Sequence, residues 1–544
     1  MTAPRYWQGN QRRRFALAVS LALLALLVVL ATLPGVGVTW DEPLYIKASR
    51  GYMAWLGLLR RGLQAGELGG PLSDAKITAG WMPHPTLELH PPLGKLLSGL
   101  TFASLRTVLG ETSAHRASTA LLFSLLVAMV FWVVATEYGT VSGVFGALSL
   151  VLMPRMFFHA HLANIDIATA TTWFLATFVF RRLEPRRGVW PVLLSAVAFG
   201  LALATKMNAV VLPLVWGLWV ILFRRNRRSL ARLLGTVGGG SILFVLLWPW
   251  LYRDTANRLL YYVLMASRFK DRPQFYLGQT FPHVPWHYPF VITLAVVPTV
   301  IVVMSLLGCF EVGRRRPADP TGWLLILNAL TPLLFAATGL QAAYSGERHF
   351  IPAYPYLACL AGVGFGTTFA LLRTRLQVAK RRLPTVPLAA VVGLFLGLLF
   401  VPAMISAGQV FPYELSYYSE VVGGLPGATR LGLETTFWCE TYLEALPFLN
   451  EHAEPGASIW AENPFVLRYY QRSGLLRLDL EATGGDTVSP LSADYALVQR
   501  RQTGFDYYTP DIGSVMASHE PVFSVDRQGE LLLELFRIVG RSTS

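Results

Sequence analysis

The stretch of residues 12–42, "RRRFALAVSLALLALLVVLATLPGVGVTWDE", combines a basic cluster, a long apolar run and two adjacent carboxylates. Its apolar part runs from Phe15 to about Leu33 and follows three arginines. A helix of about 20 apolar residues is long enough to cross a bilayer. A secretory signal has a shorter apolar core and a small-residue cleavage site, and Leu33-Pro34-Gly35 offers no clear site of that kind. The stretch therefore predicts an uncleaved first membrane helix with its basic end in the cytoplasm.

Apolar runs recur along the whole chain of 544 residues. Hydrophobic residues make up 53% and charged residues 14% of the chain, whereas soluble domains carry about 25% charged residues. The further runs lie near 116–135, 139–153, 165–180, 189–205, 208–223, 233–251, 290–309, 322–340, 350–372 and 384–406. Together they predict a polytopic α-helical membrane protein with about 11 transmembrane helices. An odd number of spans puts the two termini on opposite faces of the membrane.

The basic residues test this topology independently. Nearly half of the 46 Lys and Arg residues fall at the N-terminus and in the short loops 181–187, 224–232, 314–316 and 373–382. This is the positive-inside pattern, so the net charge of +14 is mostly a topology signal and no nucleic-acid partner is expected. We expect a multi-pass protein of the bacterial inner membrane, with a cytoplasmic N-terminus and a periplasmic C-terminus. The three cysteines do not indicate a disulfide framework.

Three segments are predicted to lie outside the membrane on the outer face. The first outer loop, about 34–115, contains two stretches with apolar residues at helical spacing, as in helices that lie among membrane lipid headgroups. The second spans about 252–289. The third, 407–544, predicts a small water-facing α/β domain with a hairpin that turns near Gln528-Gly529. The expected domains are therefore 1–406 in the membrane and 407–544 in the periplasm.

Asp41 and Glu42 follow the first membrane helix directly. "TWDE" has the form of a capping box, in which these carboxylates only start the next helix. The alternative is that one of them takes a proton from an incoming hydroxyl or amine. Adjacent helical residues point about 100° apart, so one carboxylate would be the base and the other a brace. The sequence leaves both interpretations open.

Other polar candidates crowd the same predicted face. Each has a simpler explanation: prolines that start a helix, an arginine that reaches the headgroups, or aromatic residues that belong to the membrane interface. The candidates are Glu88, His90 and Lys95 in "HPTLELHPPLGKLL" (84–97), His159, His161 and Asp166 in 153–174, Lys206, His287 in 281–290, and Glu347, Arg348 and His349 in "AYSGERHFIPAYP" (343–355). An arginine at a helix start suits an anion. A divalent metal is left open, with His159 and His161 as its weak candidates.

Three motifs carry a family resemblance. Asp-Glu after the first membrane helix, "HPPLGK" (90–95) and "ERHFIPAYP" (347–355) resemble the membrane-integral C-type glycosyltransferases over roughly residues 15–406. The most similar group is that of bacterial protein O-mannosyltransferase-like and lipid A aminoarabinose transferase-like enzymes. The stretch 411–428 is similar to bacterial members described as phospholipid-carrier-dependent glycosyltransferases. Leu89-His90 stands where aminoarabinose transferases tend to carry an acidic-basic pair, which favours the mannosyltransferase-like branch.

The resemblance implies a function. It implies inverting transfer of a hexosyl or pentosyl group from a polyprenyl-phosphate-linked donor to a protein, lipid or glycan acceptor on the periplasmic side. In that scheme Asp41 matches the acidic base, Glu42 matches its neighbour, and Arg348 lies near the lipid phosphate. His90, Lys95 and Lys206 are further cations for that phosphate. A flippase for a lipid-linked sugar and an inactive scaffold remain the alternatives. A transporter would place ionisable groups near the midplane, and 121–134 carries none.

Overall fold

The computed structural model describes residues 11–82, 90–268, 272–315, 319–340, 343–379, 388–485, 488–507 and 511–538. Helices dominate the chain. In chain order they begin with α1 (Gln11–Thr32), α2 (Glu42–Ala65), α3 (Asp74–Trp81), α4 (Leu93–Leu109), α5 (Glu111–Tyr138), α6 (Thr140–Val151), α7 (Pro154–His159), α8 (Asp166–Leu183), α9 (Trp190–Leu203), α10 (Leu212–Phe223) and α11 (Arg227–Leu247). They continue with α12 (Thr255–Arg268), α13 (Tyr288–Val296), α14 (Thr299–Arg314), α15 (Pro320–Ala337), α16 (Tyr354–Ala379), α17 (Leu388–Val410), α18 (Gly424–Arg430), α19 (Tyr442–His452), α20 (Pro464–Arg472), α21 (Gln502–Tyr507) and α22 (Asp511–Ser518).

The strands fall in two places. A short hairpin, β1 (Gln274–Tyr276) and β2 (Gln279–Phe281), lies in the second outer loop. The other strands are β3 (Ser458–Ala461), β4 (Glu481–Gly484), β5 (Tyr495–Gln499), β6 (Pro521–Arg527) and β7 (Glu530–Arg537). They form one sheet of order β4-β3-β5-β7-β6, parallel in its first half and antiparallel in its second. The C-terminal sheet is therefore confirmed.

A membrane protein with several spanning helices is also confirmed. Within the described residues, six helical stretches are long and apolar enough to cross a bilayer. They are Gln11–Gly35, Glu111–Tyr138, Arg227–Leu247, Pro320–Ala337, Ile351–Arg375 and Gly393–Val410. The apolar helices Thr140–Val151, Trp190–Leu203 and Met207–Phe223 are shorter. A helix occurs at each of the predicted places, but the number of 11 spans is not confirmed.

The span predicted near 290–309 is not a straight helix. Helices α13 and α14 meet there at an angle of 119°. Pro298 lacks an N–H group and disfavours helical backbone at the residue before it. Accordingly, Val297 is extended, with φ −91° and ψ 129°. Hydropathy alone could not show the bend, because both halves are apolar.

The first outer loop forms the amphipathic helices that its spacing predicts. Helix α2 buries Tyr45, Ile46, Tyr52 and Trp55 on one face. Trp81 at the end of α3 stacks on Tyr52, with ring centroids 4.5 Å apart. Helix α2 also packs along α4. These helices therefore pack together beside residues 38–42, which lead into α2.

The basic loops lie close to one another. Arg224, which follows α10, pairs with Glu184, which follows α8, at 2.8 Å. Tyr138 at the end of α5 donates to Asp319 before α15, with an oxygen–oxygen distance of 2.8 Å. Arg315 after α14 lies 5.9 Å from the Tyr138 ring centroid. Near the start of α5, Arg116 contacts Glu42 of the first outer loop, so this loop and the basic loops lie at opposite ends of that helix.

The tail packs directly onto the membrane helices. Tyr413, Leu425, Tyr442 and Ile459 belong to the same buried apolar cluster as Val127 of α5 and Phe350 before α16. The hairpin between β6 and β7 turns at Gln528 and Gly529, which have φ values of 53° and 80°. Positive φ at both central residues is typical of a tight hairpin turn. The predicted hairpin and its turn residues are confirmed.

Candidate active site

The two adjacent carboxylates of the first outer loop point into different surroundings. Helix α2 begins at Glu42, with Asp41 as its N-cap residue, and the Asp41 side chain makes no capping hydrogen bond. Instead, the Arg348 Nη2 donates to Asp41 Oδ2 at 2.7 Å. The capping-type interaction belongs to Glu42, whose Oε2 accepts from the backbone N of Thr39 at 2.8 Å. The helix therefore leaves Asp41 available to the rest of the fold.

Glu42 is completely buried. Its Oε1 accepts from Arg116 Nε and from the backbone N of Ala163, each at 2.8 Å. Its Oε2 also accepts from Arg116 Nη2 at 2.8 Å. The remaining Arg116 donors reach the carbonyls of Val36 at 2.7 Å and Gly37 at 2.8 Å. Burial by itself raises the pKa of Glu42, but Arg116 and the hydrogen bonds lower it below its usual value. Glu42 thus stays ionised and ties the loop before Asp41 to α5.

Asp41 stands at the end of a continuous ion-pair network. Arg348 Nε lies 4.0 Å from Asp166 Oδ2, and Lys206 Nζ lies 3.4 Å from Asp166 Oδ1. Asp166 is the first residue of α8, where a helix dipole favours a carboxylate. The side chain of Asp41 is 28% exposed, whereas that of Asp166 is 1% exposed. Asp41 is the accessible carboxylate of the network.

The second branch of the network starts at His159. Its Nδ1 lies 3.4 Å from Asp166 Oδ2, and its Nε2 lies 3.2 Å from Glu347 Oε1. Arg155 Nη1 donates to Glu347 Oε2 at 2.7 Å. Burial would lower the pKa of His159, but hydrogen bonds to both carboxylates raise it. Although burial raises the pKa of Glu347, Arg155 and His159 lower it to about 2.

The network has an excess of positive charge. With His159 protonated, four cationic side chains, those of Arg155, His159, Lys206 and Arg348, meet three carboxylates. Lys95 adds a buried cation nearby: its Nζ donates to the His90 carbonyl at 2.5 Å. Such a site attracts an anion, and a phosphate is the anion that arginine and lysine side chains bind most readily.

The two histidines beside the network are electrically neutral near pH 7. Burial, followed by Lys206, Lys95 and Arg348, holds the pKa of His90 well below its usual value. Burial, then Lys206 and Arg348, does the same to the pKa of His349. The fold therefore brings both predicted histidines to the cluster, but it does so in the neutral form. They can contribute a ring N–H to an anion, and not a charge.

Some predicted candidates lie apart from the network. His287 Nδ1 makes a hydrogen bond of 2.9 Å with the Tyr276 hydroxyl, within an aromatic cluster at the start of α13. His161 Nε2 contacts Thr32 Oγ1 at 2.7 Å. Glu88 lies outside the described residues. Within the described part of the chain, no group of three or more His, Cys, Asp and Glu side chains is arranged to hold a metal ion.

Three residues of the site were not singled out in the sequence. Arg155 lies inside an apolar stretch and Arg116 stands at the start of one, and that contrast is a signal that could have found them. Trp438 gave no signal, because an isolated tryptophan in the tail resembles any core residue. Its ring centroid lies 4.9 Å from the Arg348 guanidinium carbon.

Comparison with known families matches part of the chain. The family model described as "Dolichyl-phosphate-mannose-protein mannosyltransferase" matches residues 89–252, which is less than half of the sequence. That range contains Arg116, Arg155, His159, Asp166 and Lys206. Comparison with curated proteins gives no significant match.

Structures of ArnT share the fold over nearly the whole chain. The structure of ArnT from Cupriavidus metallidurans bound to undecaprenyl phosphate matches with a TM-score of 0.50 and 15% sequence identity, over 96% of this chain and 98% of that one. Apo ArnT from the same organism gives 0.50 and 16%, over 96% and 97%. The oligosaccharyltransferase AglB from Archaeoglobus fulgidus, in complex with an inhibitory peptide and a dolichol-phosphate, gives 0.46 and 10%, over 85% and 64%. The chain therefore has an ArnT-like fold, and its residues 89–252 are similar to the mannosyltransferase family named above.

Proposed function

We propose that this protein transfers a sugar from a polyprenyl-phosphate-linked donor to an acceptor on the periplasmic side of the bacterial inner membrane. The family match and the shared fold support glycosyl transfer of this general kind. In the ArnT structure the ligand is undecaprenyl phosphate, a lipid phosphate that the cationic cluster described above would also suit. The acceptor is a protein, a lipid or a glycan.

The observation that carries the proposal is the Asp41–Arg348 pair. A partly exposed carboxylate lies 2.7 Å from a buried guanidinium within a cluster of net positive charge. A base and an anion site thus stand side by side, which is what transfer from a phosphate leaving group needs. A flippase needs the anion site but has no use for a base, so this arrangement favours the enzyme.

In the proposed reaction, an acceptor oxygen or nitrogen attacks the anomeric carbon of the donor sugar. The bond between that carbon and the phosphate oxygen breaks, and its electron pair leaves with the polyprenyl phosphate. Asp41 takes the proton of the acceptor. Attack from the face opposite the phosphate inverts the configuration at the anomeric carbon.

The cations stabilise the leaving group. Negative charge grows on the phosphate as the bond breaks, and fixed positive groups lower the energy of that transition state. We assign this role first to Arg348, then to Lys206 and Lys95, with His90 and His349 as neutral donors. Arg348 is paired with Asp41 when no donor is bound, so a phosphate that attracts Arg348 would also free the Asp41 carboxylate to act as a base.

The remaining charged residues hold these groups in place. Asp166 contacts both Lys206 and Arg348, and Glu347 joins His159 to Arg155. Glu42 is assigned as the brace, because its five hydrogen bonds leave no oxygen available for a proton of the acceptor.

The test is sugar transfer by purified protein in nanodiscs, with undecaprenyl-phosphate-linked sugars as donors. The variant Asp41→Asn should lose about 10²–10⁴-fold in turnover, as expected when a general base is removed, while it still binds undecaprenyl phosphate. The matched control is Asp74→Asn, because Asp74 also pairs with an outer-loop arginine, Arg258, at 2.6 Å but lies outside the network. That variant should transfer at the wild-type rate. If Asp41→Asn keeps most of its turnover, the base assignment is wrong, and lipid flipping without transfer would favour the transporter.

A further inference from the structure

Trp438 lies in the segment between α18 and α19, far along the chain from the membrane motifs. Its side chain is only 6% exposed. It packs in a small apolar cluster of its own, separate from the main core, whose members are Val36, Trp40, Phe158, Leu162, Leu415, Phe437 and Trp438. The cluster lies beside the ion-pair network, since His159 follows Phe158 directly and Asp41 follows Trp40.

The backbone of this segment is fixed against the loop that carries Asp41. The backbone N of Trp40 donates to the Trp438 carbonyl at 3.0 Å. The backbone N of Trp438 donates to Glu440 Oε2 at 2.8 Å. The two chains touch so closely that a Cβ atom built on Gly37 would lie 2.0 Å from the Glu440 carbonyl oxygen. The position of the indole relative to Asp41 is therefore set by the backbone.

The indole faces two members of the network. The Arg348 guanidinium carbon lies 4.9 Å from its ring centroid. The His159 ring meets it edge-on, with centroids 5.2 Å apart and an interplanar angle of 76°. An arginine over a tryptophan face gains a cation–π attraction that strengthens away from water. Arg348 is thus held on its face by Trp438 and on its edges by Asp41 and Asp166.

We propose that Trp438 is a positioning residue for Arg348, so that the C-terminal segment is part of the catalytic machinery. The inference rests on the proposed function, in which Arg348 holds the donor phosphate. When the donor binds, Asp41 releases the Arg348 guanidinium and then takes the proton of the acceptor. The Arg348 guanidinium then keeps two of its three contacts: the Asp166 carboxylate at 4.0 Å and the face of the Trp438 indole. The flat indole keeps the guanidinium plane in place during that exchange, whereas an aliphatic side chain would let it turn.

The first test needs no substrate. Phenylglyoxal modifies accessible arginines, and mass spectrometry follows the rate at Arg348. The substitution Trp438→Leu should raise that rate at least threefold, whereas Trp438→Phe, which keeps an aromatic face, should stay within twofold of wild type. Arg50, which is exposed and pairs with Glu111, is the internal reference, and Trp286→Leu at an exposed tryptophan is the control variant. An unchanged rate in Trp438→Leu, or an equal rise in Trp438→Phe, overturns the proposal.

The second test uses transfer of sugar from the undecaprenyl-phosphate donor. Trp438→Leu should lower kcat at least tenfold with a smaller change in KM, and Trp438→Phe should restore most of it. In an Arg348→Lys background, Trp438→Leu should lower kcat much less, because the planar guanidinium that Trp438 positions is gone. An equal loss in both backgrounds overturns the proposal. If Trp438→Leu does not fold, Trp438→Met replaces it. If wild type does not bind undecaprenyl phosphate, the proposed function is wrong. The labelling test still decides whether Trp438 positions Arg348.

Discussion

Buried charge is the dominant feature of this protein at the scale of single residues. Removing a carboxylate and a guanidinium from water is costly, and a buried pair is tolerated only when its geometry is good and the other hydrogen-bonding atoms find partners. Glu42 and Arg116 meet that condition, with bidentate contacts of 2.8 Å and further bonds to backbone groups. We therefore propose that their pair stabilises the site and takes no part in its chemistry.

This role gives a prediction for Glu42. Replacing it by glutamine leaves Arg116 buried without its counter-charge, and breaking a buried pair typically costs about 3–5 kcal/mol. The thermal unfolding temperature of Glu42→Gln, measured in detergent, should therefore fall clearly. The matched control is Glu111→Gln, since the Glu111–Arg50 pair is about half exposed and such pairs contribute about 1 kcal/mol or less. Equal effects of the two substitutions would contradict the bracing role.

A second residue-scale prediction concerns Glu414, which follows α17. Burial raises its pKa to about 8, and its Oε2 has no hydrogen-bond partner among the described residues. An unfolded glutamate titrates near pH 4.3. Between these values the folded state holds a proton that the unfolded state has lost, so stability falls as pH rises from about 4 to about 8.

The substitution Glu414→Gln removes that titration. The unfolding temperature of the variant should exceed that of wild type above pH 8, and the advantage should shrink as pH falls towards 4. Glu451→Gln, at an exposed position of α19, is the control and should follow wild type across the range. A pH profile of Glu414→Gln that is parallel to wild type would show that the carboxyl does not titrate as described.

At the scale of elements, the site depends on close contact between segments that are distant in sequence. The loop before α2 lies against residues 438–440, and Gln274 of β1 accepts from the backbone N of Ser345 at 2.7 Å. Ser345 and Gly346 have φ values of 57° and 74°, which turn the chain so that Glu347 and Arg348 face the network. The left-handed conformation at Gly346 costs a glycine little.

A prediction about this contact between segments concerns Gly37. A methyl group there would overlap the Glu440 carbonyl, because its Cβ would lie 2.0 Å from that oxygen. Gly37→Ala should therefore push the two segments apart, lower the unfolding temperature and reduce transfer at least tenfold. Gly35→Ala is the matched control, because a Cβ at Gly35 has no atom within 4 Å. Normal activity in Gly37→Ala would mean that the segments need not touch.

At the scale of the whole molecule, charge is divided between two ends. The basic loops join each other at one end, through contacts such as Arg224–Glu184. Helix α2, with α3 and α4 packed on it, lies at the other, where Glu42 meets Arg116 and the neighbouring Asp41 joins the ion-pair network. Because positively charged loops stay in the cytoplasm, we infer that the site faces the periplasm.

Cysteine labelling tests this orientation. An exposed residue of the basic end, Arg227, and one of the outer end, Asn257, are each replaced by cysteine. In intact spheroplasts a membrane-impermeant maleimide should label Asn257→Cys and spare Arg227→Cys until the membrane is opened. Wild type, with its own three cysteines, measures the background. The reverse labelling pattern would place the site in the cytoplasm.

Features that depend on local composition could be predicted from the sequence alone. Apolar runs predict membrane helices because each residue contributes independently to the cost of leaving water, and alternating or periodic patterns predict the amphipathic helices α2 and α4 and the hairpin of β6 and β7. The sequence also selected Asp41, Asp166, Lys206, Glu347 and Arg348, because charged residues at the ends of apolar runs are costly without a role.

Which of these groups meet depends on the tertiary structure. Asp41 and Arg348 are 307 residues apart in sequence, and no local pattern encodes such a contact. Asp41 and Glu42 look alike in the sequence, yet one faces Arg348 and the other Arg116, because adjacent positions at a helix start point in different directions. The sequence could not single out Trp438 for the same reason, because its proposed role depends on the residues that its ring contacts. Pairings across the fold arise from packing, which only the three-dimensional arrangement reveals.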